Sequence, residues 1–296
     1  APVAPPTQKG IFAYGYTGSA SSLSNLVNSS GVIATDVTGV GTARSFLAAA
    51  GYGTDKAIFA YGSVGGAQNM SNLVNNSGVV ATDTSGVGTA RNTLAATRYG
   101  LDKAIFGYGY VSAVSSLTNL VSNSGVVATD TTGVGTARTG LAAASYGSTG
   151  QALFGYGEAI GGSVGSLTNL ISSSGVVATD TTGVGQVRVN LAAAAYGVGL
   201  AIFAYGSNGG STYYNVSNLV SNVGVVAADV SGVGTARQQL AATLYGGDKA
   251  IFAYGTTASR VSLSNLVNNS GVVASDTTGV GTVRNALAAA GYSISA

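Results

Sequence analysis

Apolar and polar positions follow one another in a pattern that returns along the whole chain. The stretch "KAIFAYG" at residues 56–62 is β-prone and apolar on both faces, which predicts a strand buried from both sides. "VVATDTT" alternates better and predicts a half-exposed strand. Gly, Asn, Asp and Ser punctuate these segments where tight turns are expected. "LAAA" and "SNLV" suit a strand or a helix: Ala and Leu are good helix formers, and a glycine follows "LAAA" where a helix would stop. The pattern admits two architectures, an all-β fold and a β/α solenoid.

The segments repeat as units. Six units begin at Lys9, Lys56, Lys103, Gln151, Leu200 and Lys249, and the second reads "KAIFAYG", a variable stretch, "SNLVNNSGVVATDTSGVGTAR", then "LAATRYG". Length and content vary almost only between the "YG" and the "SN" or "TN". Four candidate strands in about 47 residues match a propeller blade, and six blades close a ring. The run "TARSFLAAAGYGTDKAIFAYG" resembles the first hairpin of a kelch repeat, with "AYG" where that family carries a double glycine. The tryptophan and tyrosine of the typical kelch motif are missing from the last two strands. The units resemble more closely the "AIFGYG" and "LAAAGYG" arrays of bacteriophage virion and tail-associated proteins.

The kelch resemblance implies that the repeats begin at a second strand (residues 9 to 15) and end at a first one (residues 284 to 292). Both ends would then complete one blade and remove an open sheet edge. The expectation is an all-β, six-bladed kelch-like propeller with four-stranded blades. It would form a single domain over residues 9–296, after a Pro-rich lead-in at 1–8.

Composition narrows the function. Only 7% of the 296 residues are charged, 46 are glycine, and there is no Cys, His or Trp. A net charge of +2 gives no footprint for nucleic acid. No run of 18 apolar residues predicts a membrane span. Without His or Cys, and with one Glu, the usual nucleophile–base triads and common zinc sites cannot be assembled. The expectation is therefore a protein that is not an enzyme and needs no cofactor or metal. A calcium site of Asp and carbonyl oxygens lacks the D-x-D-x-D-G spacing.

The scarce charges are themselves repeated. Asp36, Asp83, Asp130, Asp180, Asp229 and Asp276 each precede, by eight residues, Arg44, Arg91, Arg138, Arg188, Arg237 and Arg284. The architectural reading has each Asp bonding turn amides and each Arg pairing with that Asp or with a neighbouring unit's. The functional reading is a ring of ligand-binding charges on one face, but six identical copies favour architecture. The "GVG" before each Arg lacks a P-loop context, and its glycines suit a turn with positive backbone angles. "TDK", "LDK" and "GDK" read as solvated hairpin turns.

The variable stretches hold the unshared side chains: Tyr16, Gln68, Asn69, Tyr110, Glu158, Asn208, Tyr213, Tyr214 and Arg260. Specificity commonly resides in such loops on a fixed scaffold, and Tyr and Asn are good recognition residues. These features, with the phage resemblance, predict a structural or adhesion protein of a virion or other extracellular assembly, contacting other structural proteins. A lectin-like propeller binding a surface glycan is the alternative, and a hydrolase centred on Glu158 a third.

Overall fold

The computed structural model describes residues 7–296, so most of the Pro-rich lead-in lies outside the described residues. The fold is all-β. A 3-10 turn at Ile160–Gly162 is the sole helical element among the described residues, and no helix there is long and apolar enough to cross a membrane.

Six three-stranded antiparallel sheets are built alike. The middle strands are Lys9–Ala13, Lys56–Ala60, Lys103–Gly107, Gln151–Gly155, Leu200–Ala204 and Lys249–Ala253. They carry the "AIFA" segments and are buried on both faces, as their unbroken apolar run requires. Each is flanked on one side by an "SNLV"-type strand, such as Ser71–Val74, and on the other by an "AAA"-type strand, such as Ala48–Tyr52. Both ambiguous segments are therefore strands. The alanine-rich strands are Ala48–Tyr52, Ala95–Tyr99, Ala142–Tyr146, Ala192–Tyr196, Ala241–Tyr245 and Ala288–Ser293. Each packs against the next, and the last against the first. Crowding of six strands on one another favours alanine over larger residues, and this context overrides its helix propensity.

One sheet joins distant parts of the chain. Lys9–Ala13 pairs with Ala288–Ser293, with Ile11 opposite Ala290 and Phe12 opposite Ala289, and with Ser24–Val27 on its other side.

The fourth strand expected in each unit does not form. Residues 33–37 meet Ser24–Val27 only at the isolated bridges Val27 to Ile33 and Ser24 to Val37. Five residues face four, so the segment bulges. The Asn25 amide fills the bulge, donating to the Ala34 carbonyl at 2.9 Å and to the Asp36 carboxylate at 2.9 Å. The same geometry recurs at Asn72 and Asn119.

Packing between sheets is also repeated. Phe59 meets Tyr14 of the preceding sheet with ring centroids 5.5 Å apart, and the other five Phe–Tyr pairs lie at 5.0 to 5.5 Å. Such a pair adds roughly 0.5–1.5 kcal/mol beyond burial.

A closed circuit of backbone hydrogen bonds links all six sheets at one end. Phe46 N–H donates to the Ala286 carbonyl, Thr93 to Phe46, Gly140 to Thr93, Asn190 to Gly140, Gln239 to Asn190 and Ala286 to Gln239, at 2.7 to 2.9 Å. All six residues have φ between 49° and 61°, although only one is glycine. A left-handed non-glycine residue costs about 1–2 kcal/mol, which the paired N–H and carbonyl groups at this crowded point help to offset.

Candidate functional site

The repeated charges lie at the joints between sheets. Arg44 is fully buried with its guanidinium over the Tyr14 ring of the preceding sheet, 4.5 Å from the centroid. It donates through Nε to the Tyr61 carbonyl at 2.8 Å, through Nη1 to the Thr42 carbonyl at 3.1 Å and through Nη2 to Asn72 Oδ1 at 2.6 Å. Asp83 accepts from Thr42 N–H at 3.0 Å, Thr42 Oγ1 at 2.6 Å and Asn72 Nδ2 at 2.9 Å. Its carboxylate lies 3.9 Å from Arg44 Nη1.

Five of the six Arg therefore meet the Asp of the following unit, not the one eight residues before it. Arg91 lies 3.5 Å from Asp130, Arg138 3.4 Å from Asp180, Arg237 4.0 Å from Asp276 and Arg284 3.7 Å from Asp36. The "GVGT" turn carries Arg out of its own sheet to the next, while Asp stays behind. Gly88 shows what the turn requires: φ is 77°, and a Cβ there would collide with Asp130 and Asn119. No anion-binding cradle is left over, because the neighbouring Thr89 N–H already serves Asp130.

The environment of these groups recurs at most of the joints. Burial pushes Asp83 upward, but hydrogen bonds from Thr42 and Asn72 and the charge of Arg44 hold it below the usual carboxylate range. Asp36, Asp130, Asp180 and Asp276 are lowered in the same way. Burial pushes Tyr14, Tyr61, Tyr108 and Tyr205 up to about 12, against the pull of the overlying Arg. Burial lowers Arg44 and Arg91 too, yet a guanidinium remains charged at neutral pH.

The joint at Arg188 differs. Gln186 replaces threonine, so Asp229 receives the backbone N–H at 2.9 Å but no hydroxyl. Arg188 Nη1 turns to the Val216 carbonyl at 2.7 Å, and its Nε has no partner, as is also true of Arg138.

The variable loops lie at the end of the sheets that carries the hydrogen-bond circuit. Residues after each "YG" bridge to the stretch leading into an alanine-rich strand: Tyr16 to Asn285, Tyr110 to Asn92 and Glu158 to Thr139. Tyr16 and Tyr110 are 37% and 42% exposed, and Arg260 stacks on Tyr16 at 4.7 Å. Glu158 sits in a two-residue ladder with Val164 and faces Gly209 of the next loop. Asn208 caps its own loop, accepting from Gly210 and Thr212 N–H. Gln68 donates to the Gly66 carbonyl, and Gln186 donates to the Tyr214 hydroxyl at 3.3 Å. Tyr213 bridges to Ser207. Asn69 donates to the Gly88 carbonyl at 2.8 Å and is part of the scaffold, as Asn215 is in its own unit. The loops thus form a face of touching neighbours, not one convergent pocket.

Sequence reasoning missed the Asn of each "SNLV"-type strand, the Tyr of each "YG" and the Thr that precedes five of the six Arg. The recurrence of Asn and Tyr in all six units, and of Thr in five, was the available signal. Among the described residues no three His, Cys, Asp or Glu side chains come together to hold a metal ion. The chain matches no protein-family model and no curated protein.

Proposed function

We propose that the chain is a six-bladed propeller acting as a non-enzymatic structural or adhesion module of a virion or other extracellular assembly. The observation carrying this reading is a division of labour. The repeated aspartates and all six repeated arginines are engaged in internal joints, while unlike side chains stand on loops at one end. The cyclic packing of the alanine-rich strands and the closed backbone circuit support the propeller, with three regular strands and an irregular fourth segment per blade. A fixed frame with variable loops suits recognition of other structural proteins. Exposed Tyr16 and Tyr110 favour a surface glycan as the second reading.

Labelling of native particles with an antibody to this chain is expected to decorate their surface. Replacing Tyr110, Glu158, Tyr213 and Tyr214 with serine should then abolish attachment while leaving the melting temperature within a few degrees. Unlabelled particles would overturn the structural reading, and saturable binding on a glycan array would favour the lectin.

A further inference from the structure

The alanine-rich strands differ from one another chiefly at one register. They read AAAGY, AATRY, AAASY, AAAAY, AATLY and AAAGY, so the fourth position holds Gly51, Arg98, Ser145, Ala195, Leu244 and Gly291. These residues line the space that the strands enclose. One cavity there, of about 110 Å³, is walled mainly by alanines. A second, of about 190 Å³, lies toward the hairpin turns at Gly147 and Gly199. Arg98, Ser145, Leu244 and Thr7 border both.

Arg98 is unlike the six joint arginines. Each of those donates to a carbonyl and to an asparagine, whereas Arg98 makes no hydrogen bond and no ion pair among the described residues. Arg98 is half-buried and lines both cavities. Burial disfavours its charge, which Asp102 and Asp55 favour from the hairpin turns. Those carboxylates are held by Lys103 and Asn123 and by Lys56 and Asn76. Its guanidinium lies across the cavity above Gly51, where a Cβ would come within 2.9 Å of Nη2. A glycine therefore makes the room that the guanidinium occupies.

A planar group with five N–H donors, without a partner among the described residues and beside a wall rich in alanine, is matched by an acceptor of opposite charge. We propose that the cavity binds one small oxyanion, of the carboxylate or phosphate class, against Arg98, with the Ser145 hydroxyl as a second donor. This goes beyond the structural role and does not depend on the loops.

The test is calorimetric titration of the full chain with inorganic phosphate and, separately, with acetate at low ionic strength. One site per chain is expected for at least one anion, weakening as salt is added. Phosphate alone or acetate alone would assign the class. Arg98→Leu, which copies the residue that Leu244 places at the same register, should weaken binding at least tenfold. Absence of saturable binding by both anions, or equal binding by Arg98→Leu, would overturn the proposal. If that variant fails to fold, selenate soaked into wild-type crystals decides: an anomalous peak within hydrogen-bonding distance of Arg98 supports the site, and its absence removes it.

Discussion

Five joints carry threonine before the arginine and one carries Gln186, and this single change exposes how the joint works. In the five, the threonine hydroxyl anchors the aspartate at 2.6 Å, and the threonine carbonyl receives Nη1. At Arg188 the hydroxyl is gone, no ion pair forms within 4 Å among the described residues, and Nη1 goes to Val216 instead. The stack on tyrosine, 4.7 Å at Tyr156, and the bond to asparagine persist. The ion pair is therefore the dispensable part, and the aromatic and amide contacts are the constant part. This agrees with the weak net value of a buried ion pair once desolvation is counted.

The largest test of that comparison removes the guanidinium itself. Arg91→Ala leaves Asn119, the Tyr108 carbonyl and Asp130 without their partner, and should lower stability by about 3–5 kcal/mol in urea unfolding. Arg188→Ala should fall clearly short of this, since its Nε is already unpaired. Equal losses would show that the two kinds of joint are energetically the same.

Alkali tests what all joints share. Tyr61 has a folded pKa of about 12, against 10 unfolded, and Tyr156 is raised in the same direction. For Tyr61 this means stability fully present below pH 10 and lost as pH climbs through about 12, by roughly 2–3 kcal/mol. The phenolate absorbance of the joint tyrosines should appear together with loss of strand circular dichroism. Ionisation of the joint tyrosines in a still-folded chain would contradict their burial.

Double-mutant cycles sharpen the pairing. Arg91 with Asp130 should show a coupling of about 0.5–3 kcal/mol, whereas Arg91 with Asp83, its neighbour in sequence, should be additive to within about 0.5 kcal/mol. The reverse result would return the pair to residues eight apart.

The smallest effect is a gain. Gln186→Thr restores a hydroxyl for Asp229 and should stabilise the chain by about 0.5–1.5 kcal/mol, the net worth of one added hydrogen bond. No gain would mean that the hydroxyl does not matter.

Much of the scaffold was legible in the chain. The kelch resemblance already implied that residues 9–15 pair with 284–292, and the strands at Lys9–Ala13 and Ala288–Ser293 do pair. "LAAA" was not decided locally, because crowding among six strands, not propensity, makes it a strand. The bulge at residues 33–37 escaped notice because a side chain, Asn25, replaces backbone pairing there. Sequence could place each Arg with its own or a neighbouring unit's Asp but could not choose, since the direction of the "GVGT" turn decides. Arg98 was not legible as a site because it departs from the repeat and stands alone at its register.

The sheet shared by residues 9–13 and 288–293 has a consequence during synthesis. The strand Lys9–Ala13 finds Ser24–Val27 soon after it is made, but its other neighbour is translated some 280 residues later. Throughout that interval the backbone edge beside Ile11 and Phe12 stays open to pairing with another nascent chain. Lys9, at the start of this strand, places a charge on that waiting edge, and lysine is a residue that discourages strands from joining edge to edge.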